Sequence, residues 1–217
     1  MIPILFENND ILAVNKPEGL ASIPERKPGS ECLLRTLEEA YARKLFVVHR
    51  IDKDVSGVIL FAKNATTHAL LNDQFSARTV SKTYLALVHG VIAGRGGTIE
   101  RPIREFGSGR MAVDETHGKS SRTVYDVQER YPDYTLLQVH PATGRRHQIR
   151  VHFYSIGHPI VGDLLYGVKG IQTKYPRLML HAFWIRVSLP DGKKVQIEAP
   201  LPPSFLSALD QIAPHRQ

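Results

Sequence analysis

His49-Arg50-Ile51-Asp52-Lys53-Asp54-Val55-Ser56-Gly57-Val58-Ile59-Leu60 sets a charged cluster directly in front of an apolar, β-branched run. A buried strand over 57–62 has no place for Arg50, Asp52 or Asp54, because unpaired charge is costly away from water. The charges therefore belong on a loop at the mouth of the strand, with a rigid element behind them, where functional side chains are favoured. In extended backbone Arg50, Asp52 and Asp54 fall on one side. By composition alone, a turn with ordinary solvated charges would look the same.

The chain around this cluster has 217 residues, enough for a sizeable core, and is read as one catalytic domain over 1–217. Its hydrophobic fraction of 42% and charged fraction of 23% exclude wholesale disorder. No apolar stretch approaches the roughly 20 residues of a membrane helix. The opening Met1-Ile2-Pro3-Ile4-Leu5-Phe6-Glu7 lacks the basic region and cleavage site of a signal peptide. A lone cysteine, Cys32, cannot form an intramolecular disulfide, so a reducing cytoplasm is expected, with no membrane partner. A formal net charge of +7 and a pI near 9.6 favour polyanionic partners. Arg43, Lys44, Arg50, Lys53, Arg78, Lys82, Arg145, Arg146 and Arg150 lie in or beside the segments that look structured. Without further motifs, a solvated basic surface is the better explanation of them.

Periodicity and turn residues outline the remaining elements. Short strands are expected over 4–6 and 11–15, a helix over 31–44, extended segments over 47–50 and 57–62, and a helix over 65–77. A strand over 82–89 precedes a turn at 94–97. Longer strands over 121–129 and 134–140 follow. A helix over 143–156 is expected, capped by Thr143 and closed by Gly157. Strands over 178–182, 184–189 and 195–199 precede a terminal helix from Pro203. Strands outnumber helices and short turns join neighbours, which predicts an α+β fold with a mixed, largely antiparallel sheet and peripheral helices.

Two further stretches carry candidate chemistry. In Thr143-Gly144-Arg145-Arg146-His147-Gln148-Ile149-Arg150-Val151-His152, helical spacing puts Arg145, Gln148 and His152 on one face and Arg150 elsewhere. Arg145 would open that helix, and its guanidinium suits bidentate pairing with a carboxylate. A basic helix solvated on one side is the competing reading. In Ser81-Lys82-Thr83-Tyr84-Leu85-Ala86-Leu87-Val88-His89-Gly90, Tyr84 on a strand is ordinarily packing.

These stretches, in order, resemble the RluA-type pseudouridine synthase family. Residues 49–57 are similar to its HRLDxxTSG signature, 82–90 to KxYxAxVxG, and 144–152 to GRxHQIRxH. Val14-Asn15-Lys16-Pro17-Glu18-Gly19-Leu20 resembles VNKPxGL. Residues 157–167 resemble GHPIxGDxxYG, and Leu178-Met179-Leu180-His181-Ala182 resembles LxLHA. Six ordered matches between residues 14 and 182 are far more specific than any one of them. Three positions depart from the pattern. Ile51 replaces leucine with little change in volume, Val55 stands where threonine is common, and Arg146 adds a charge. There is little chain before Ile4 for the small N-terminal RNA-binding domain of many relatives.

The resemblance implies a pseudouridine synthase fold with an active-site cleft at the sheet. It implies isomerisation of uridine in tRNA, large-subunit rRNA or both, without metal, nucleotide or redox cofactor. Carried over by position, Asp52 is the catalytic carboxylate, acting as nucleophile or base, and Arg145 pairs with it. Tyr84 lies against the target base, since an aromatic plane stacks on pyrimidines. Arg50 fills the space that the everted base leaves. Arg50, Tyr84 and Arg145 thus contact RNA, and a monomer is the simplest state. His49 reads as structural.

Other classes fit less well. A metal-dependent nuclease needs several acidic ligands, and here only Asp52 and Asp54 are close in sequence. A glycosidase would need a second carboxylate such as Glu129 or Asp163, with no supporting pattern. His147 and His152 are wrongly spaced for a zinc peptidase, and a Gly-x-Ser-x-Gly elbow is absent. An RNA-binding protein or chaperone that kept the fold without catalysis remains the non-enzymatic alternative.

Overall fold

Ser56–Ala62, the apolar run behind the charged cluster, forms a strand whose seven residues are all buried. In the computed structural model, which describes residues 2–25, 29–107 and 109–212, this strand belongs to the first of two compact units. The first comprises residues up to 82 with 182–201, and the second 83–181 with 202 onward. In chain order the elements begin with β1 (Ile4–Glu7), β2 (Ile11–Lys16), α1 (Leu33–Tyr41), β3 (Phe46–Val47), β4 (Ser56–Ala62) and α2 (Ala65–Ser76). There follow β5 (Ser81–His89), β6 (Gly96–Glu100), β7 (Ile103–Glu105), β8 (Met111–Val113), β9 (Arg122–Arg130) and β10 (Tyr134–Pro141). Helices α3 (Gln148–Ser155) and α4 (Lys169–Gln172), strands β11 (Leu180–Ser188) and β12 (Lys194–Glu198), and helix α5 (Pro203–Ile212) complete the chain.

In the first unit β2 pairs antiparallel with β1 and β4, β3 with β4, and β12 with β11. Leu12, Val14, Ile59 and Phe61 alternate onto one face and pack against Leu33 and Leu37 of α1 and against Leu45. Ile11, Ala13, Val58 and Leu60 point the other way and are buried too. Cover on both faces is why the sequence of β4 reads as a continuous apolar run. Helix α2 is capped by Asn64, whose side chain accepts from Thr67 N at 2.8 Å. Helix α1 is shorter than the 31–44 expected, because Ala42 turns left-handed (φ 48°) and ends it.

In the second unit β10 pairs antiparallel with β5 and β9, and β9 with β6, while β7 and β8 form a separate hairpin. The antiparallel ladders with helices around them are the α+β class that the sequence predicts.

Three local expectations are corrected. Gly96 and Gly97 do not turn the chain but open β6. A Cβ on Gly96 would lie 2.5 Å from the Tyr125 carbonyl, and one on Gly97 would lie 2.7 Å from the Tyr125 hydroxyl, so these glycines permit close approach to β9. Strand β11 is continuous where two strands were expected, since Ala199 N bonds Phe183 O and extends the β12 ladder. Helix α3 starts at Gln148 rather than Thr143, because His147 is left-handed (φ 54°). Arg145 therefore precedes the helix and shares no helical face with Gln148 and His152.

Gly57 (φ +118°) passes against β11, where an added Cβ would sit 2.2 Å from the Ala182 carbonyl. Gly57→Ala is expected to lower unfolding free energy by roughly 2–5 kcal/mol, combining backbone strain and overpacking. A urea midpoint equal to that of the wild type would contradict this close approach.

Candidate active site

Residues 50–55 enter β4 with their main chain held at several points, all within the first unit. Ser22 grips Ile51 in both directions: its hydroxyl donates to Ile51 O at 2.7 Å and accepts from Ile51 N at 3.3 Å. Val55 N closes a turn onto Asp52 O at 3.1 Å. Lys16, wholly buried at the end of β2, donates from Nζ to Pro17 O (2.8 Å), Leu20 O (2.7 Å) and Lys53 O (2.9 Å). Three ammonium protons thus meet three carbonyl oxygens, which makes burial of the charge tolerable. Between these holds Asp52 is partly buried, while Arg50 and Asp54 are exposed.

His49 anchors the start of the loop. Its Nε2 accepts from Leu60 N at 2.9 Å, and its ring stacks on Phe75 with centroids 5.1 Å apart. Burial, and secondarily the charge of Lys82, push this imidazole down to about 3. His49 is therefore a neutral structural acceptor rather than an acid or base.

In the second unit the 143–147 segment is fixed by Gln148. Its Oε1 accepts from Thr143 Oγ1 (2.6 Å) and from Arg145 N (3.0 Å). Its Nε2 donates to Arg122 O and Thr123 Oγ1, both at 3.0 Å. Thr123 Oγ1 also lies 2.8 Å from Nδ1 of buried His152, whose Nε2 meets Arg101 O at 3.0 Å. Arg145 leaves this turn half-buried, and its Nε and Nη2 both donate to Ser120 O at 3.3 Å. Two of its five N–H groups are so used, leaving others for an anion.

Tyr84 sits on β5 opposite Val139 of β10. It is half-buried between the buried neighbours Thr83 and Leu85, which face the other way. Arg50 and Asp52 thus belong to the first unit, and Tyr84 and Arg145 to the second.

A buried ion pair escaped the sequence reading. Arg150 Nε and Nη2 meet Asp163 Oδ2 and Oδ1 at 2.7 and 2.8 Å, with side-chain exposures of 3% and 0%. Asp163 Oδ1 also accepts from Leu165 N and Tyr166 N. The signal was available: an arginine inside a buried helical turn requires a counter-ion, and Asp163 is the acid in the next motif.

A family model described as RNA pseudouridylate synthase matches residues 10–155, a span that includes Asp52, Tyr84 and Arg145. The chain belongs to the RNA pseudouridylate synthase family. This synthase is 37% identical to ribosomal large subunit pseudouridine synthase D of Pseudomonas aeruginosa, over 100% of this chain and 73% of that protein. It is 41% identical to the dual-specificity RNA pseudouridine synthase RluA of Vibrio vulnificus, over 82% of this chain and 74% of that one. These likenesses make it a synthase of the RluA type. Among solved structures, human RNA pseudouridylate synthase domain containing 1 superposes with a TM-score of 0.81 at 31% identity, covering 94% of this chain and 86% of that one. No helix among the described residues is long and apolar enough to cross a membrane.

Below pH 6.5 the unfolded chain protonates His49, whereas the folded ring stays neutral until about 3. The unfolded state then binds more protons, so stability falls as pH drops through this window. His49→Gln, which keeps an acceptor without a titrating ring, is expected to flatten that fall between pH 6.5 and 4. Urea midpoints that decline in parallel for both proteins would show that His49 does not contribute to it.

Proposed function

We propose that this synthase converts uridine to pseudouridine in structured tRNA, large-subunit rRNA or both, with Asp52 as its catalytic carboxylate. The observation that carries the assignment is the clamped 51–55 main chain. Ser22 and Lys16 fix the backbone on both sides of Asp52, leaving a carboxylate on a rigid mount. Preorganisation of that kind is what a displacement at a sugar carbon demands. The two units act together as one catalytic domain, as a monomer in the cytoplasm.

In the reaction the bond from C1′ to N1 of uracil breaks, the ring turns, and C5 bonds to C1′. C5 loses a proton while N1 gains one, so atoms and redox state balance without a cofactor. Asp52 acts as the anion, toward C1′ as nucleophile or toward a sugar hydrogen as base. The family resemblance assigns Arg145 as the partner of that carboxylate, a role that a guanidinium suits through charge-assisted hydrogen bonds. Tyr84 stacks on the uracil. Drawing the base out of its stack costs a few kcal/mol, and exposed Arg50 offers a planar guanidinium to the vacated space. The relatives support the substrate class by their names: one is a large-subunit rRNA enzyme and another has dual specificity.

Comparison of pseudouridine maps of total RNA from cells with and without the gene tests the substrate. Absence of any difference would refute the activity. Asp52→Asn is expected to abolish conversion while RNA affinity stays within about twofold, and turnover at the wild-type rate would remove Asp52 from the chemistry. Arg145→Ala is expected to cost about 100-fold in kcat, the scale of losing one preorganised charged partner. An unchanged rate would exclude it. EDTA should leave the rate unaltered, and inhibition would point to metal-assisted chemistry instead.

A further inference from the structure

Tyr166 is the largest fully buried side chain among the described residues, and no step above uses it. Two guanidinium groups, Arg110 and Arg150, each lie over its ring at 5.2 Å from the centroid. Arg150 is itself locked by Asp163, and Asp163 also holds the Tyr166 main chain. The ring is therefore immobile, and its hydroxyl oxygen has a defined place. Met111 N donates to that oxygen at 3.1 Å, and His147 Nδ1 lies 2.9 Å away. Since the oxygen already accepts from Met111, the hydroxyl proton goes to His147 Nδ1. The reverse polarity would leave a buried O–H without an acceptor among the described residues.

His147 is where this matters. It is a non-glycine residue in the left-handed region (φ 54°), immediately before α3 and two residues after Arg145. That conformation is unfavourable for a residue with a Cβ. Released, His147 would relax to right-handed helix, α3 would grow backward, and Arg145 would swing onto the face of Gln148 and His152. That is the arrangement which local sequence preference favours.

We infer that the Tyr166 hydroxyl is a positioning group: by holding His147 left-handed it stops α3 at Gln148 and sets the direction of Arg145. The inference rests on the reading of Arg145 given above. Tyr166 touches no substrate and acts only through His147.

The test is a double-mutant cycle on kcat and KM for RNA. Tyr166→Phe, which keeps the ring and its cation contacts, is expected to lower kcat about tenfold and to change KM by less than twofold. His147→Ala is expected to do the same, and the two together to be no worse than either alone. Tyr166→Phe combined with His147→Gly should regain most of the lost kcat, because glycine adopts positive φ without help. A purely structural role predicts multiplied losses, a lowered melting temperature, and no recovery with His147→Gly. Wild-type kcat in Tyr166→Phe, or multiplied losses in the double variant, would overturn the inference. Should Tyr166→Phe fail to fold, His147→Ala against His147→Gly in the otherwise native chain decides, and equal rates would overturn it. If Arg145→Ala retains full activity, the reading of Arg145 fails first. If Arg145→Ala is impaired and Tyr166→Phe is not, only this inference falls.

Discussion

An ammonium group withdrawn from water has to be met by oxygen, and Lys16 is met by three carbonyls drawn from separate parts of the first unit. That requirement ties the end of β2, the 17–20 turn and the loop carrying Asp52 into one piece. None of the three carbonyls belongs to a regular ladder at that point, so each gains a partner it would otherwise find in solvent. Ser22 adds a hold at Ile51 and His49 another at Leu60. The loop thereby has little freedom despite its charge. Rigidity of the carboxylate's mount is thus a product of buried polar bonds rather than of packing alone.

The second unit reaches the same end by a different route. Here Gln148 uses its amide on both sides, accepting from the 143–145 turn and donating to β9. The Arg150–Asp163 pair then fixes the opposite flank of α3. Buried ionic groups of this sort seldom add net stability compared with apolar replacements, yet breaking one is costly because the other charge is stranded. Their value in this fold is that they allow few alternative arrangements of the turn that presents Arg145.

Much of this was legible in the amino-acid order where one physical rule dominated. The double-sided burial of β4 wrote itself into residues 57–62 as an unbroken apolar run, and the helix expected over 65–77 matches α2 (Ala65–Ser76). The six motif stretches point to the family to which the chain belongs. Other features depended on tertiary partners that local patterns do not reveal. Gly96 and Gly97 look like turn residues until Tyr125 is seen against them. Thr143 looks like a helix cap, yet its hydroxyl serves the Gln148 side chain several residues on. The helical period through 143–152 was a true property of the sequence that a left-handed His147 overrides. Arg150 stands among the cations that a solvated surface would explain, because charge is usually outside, whereas the fold sets it against buried Asp163.

Burial of Lys16 also bears on how the molecule meets a polyanion. Formal charge is +7, but one of those cations is sealed beneath the surface and dissolves no counter-ion atmosphere when nucleic acid arrives. Arg150 and Asp163 likewise neutralise each other internally. The number of cations able to meet a phosphate directly is accordingly smaller than composition implies. Encounter must lean on the exposed arginines and lysines, so ionic strength should modulate association less steeply than a count of basic residues suggests.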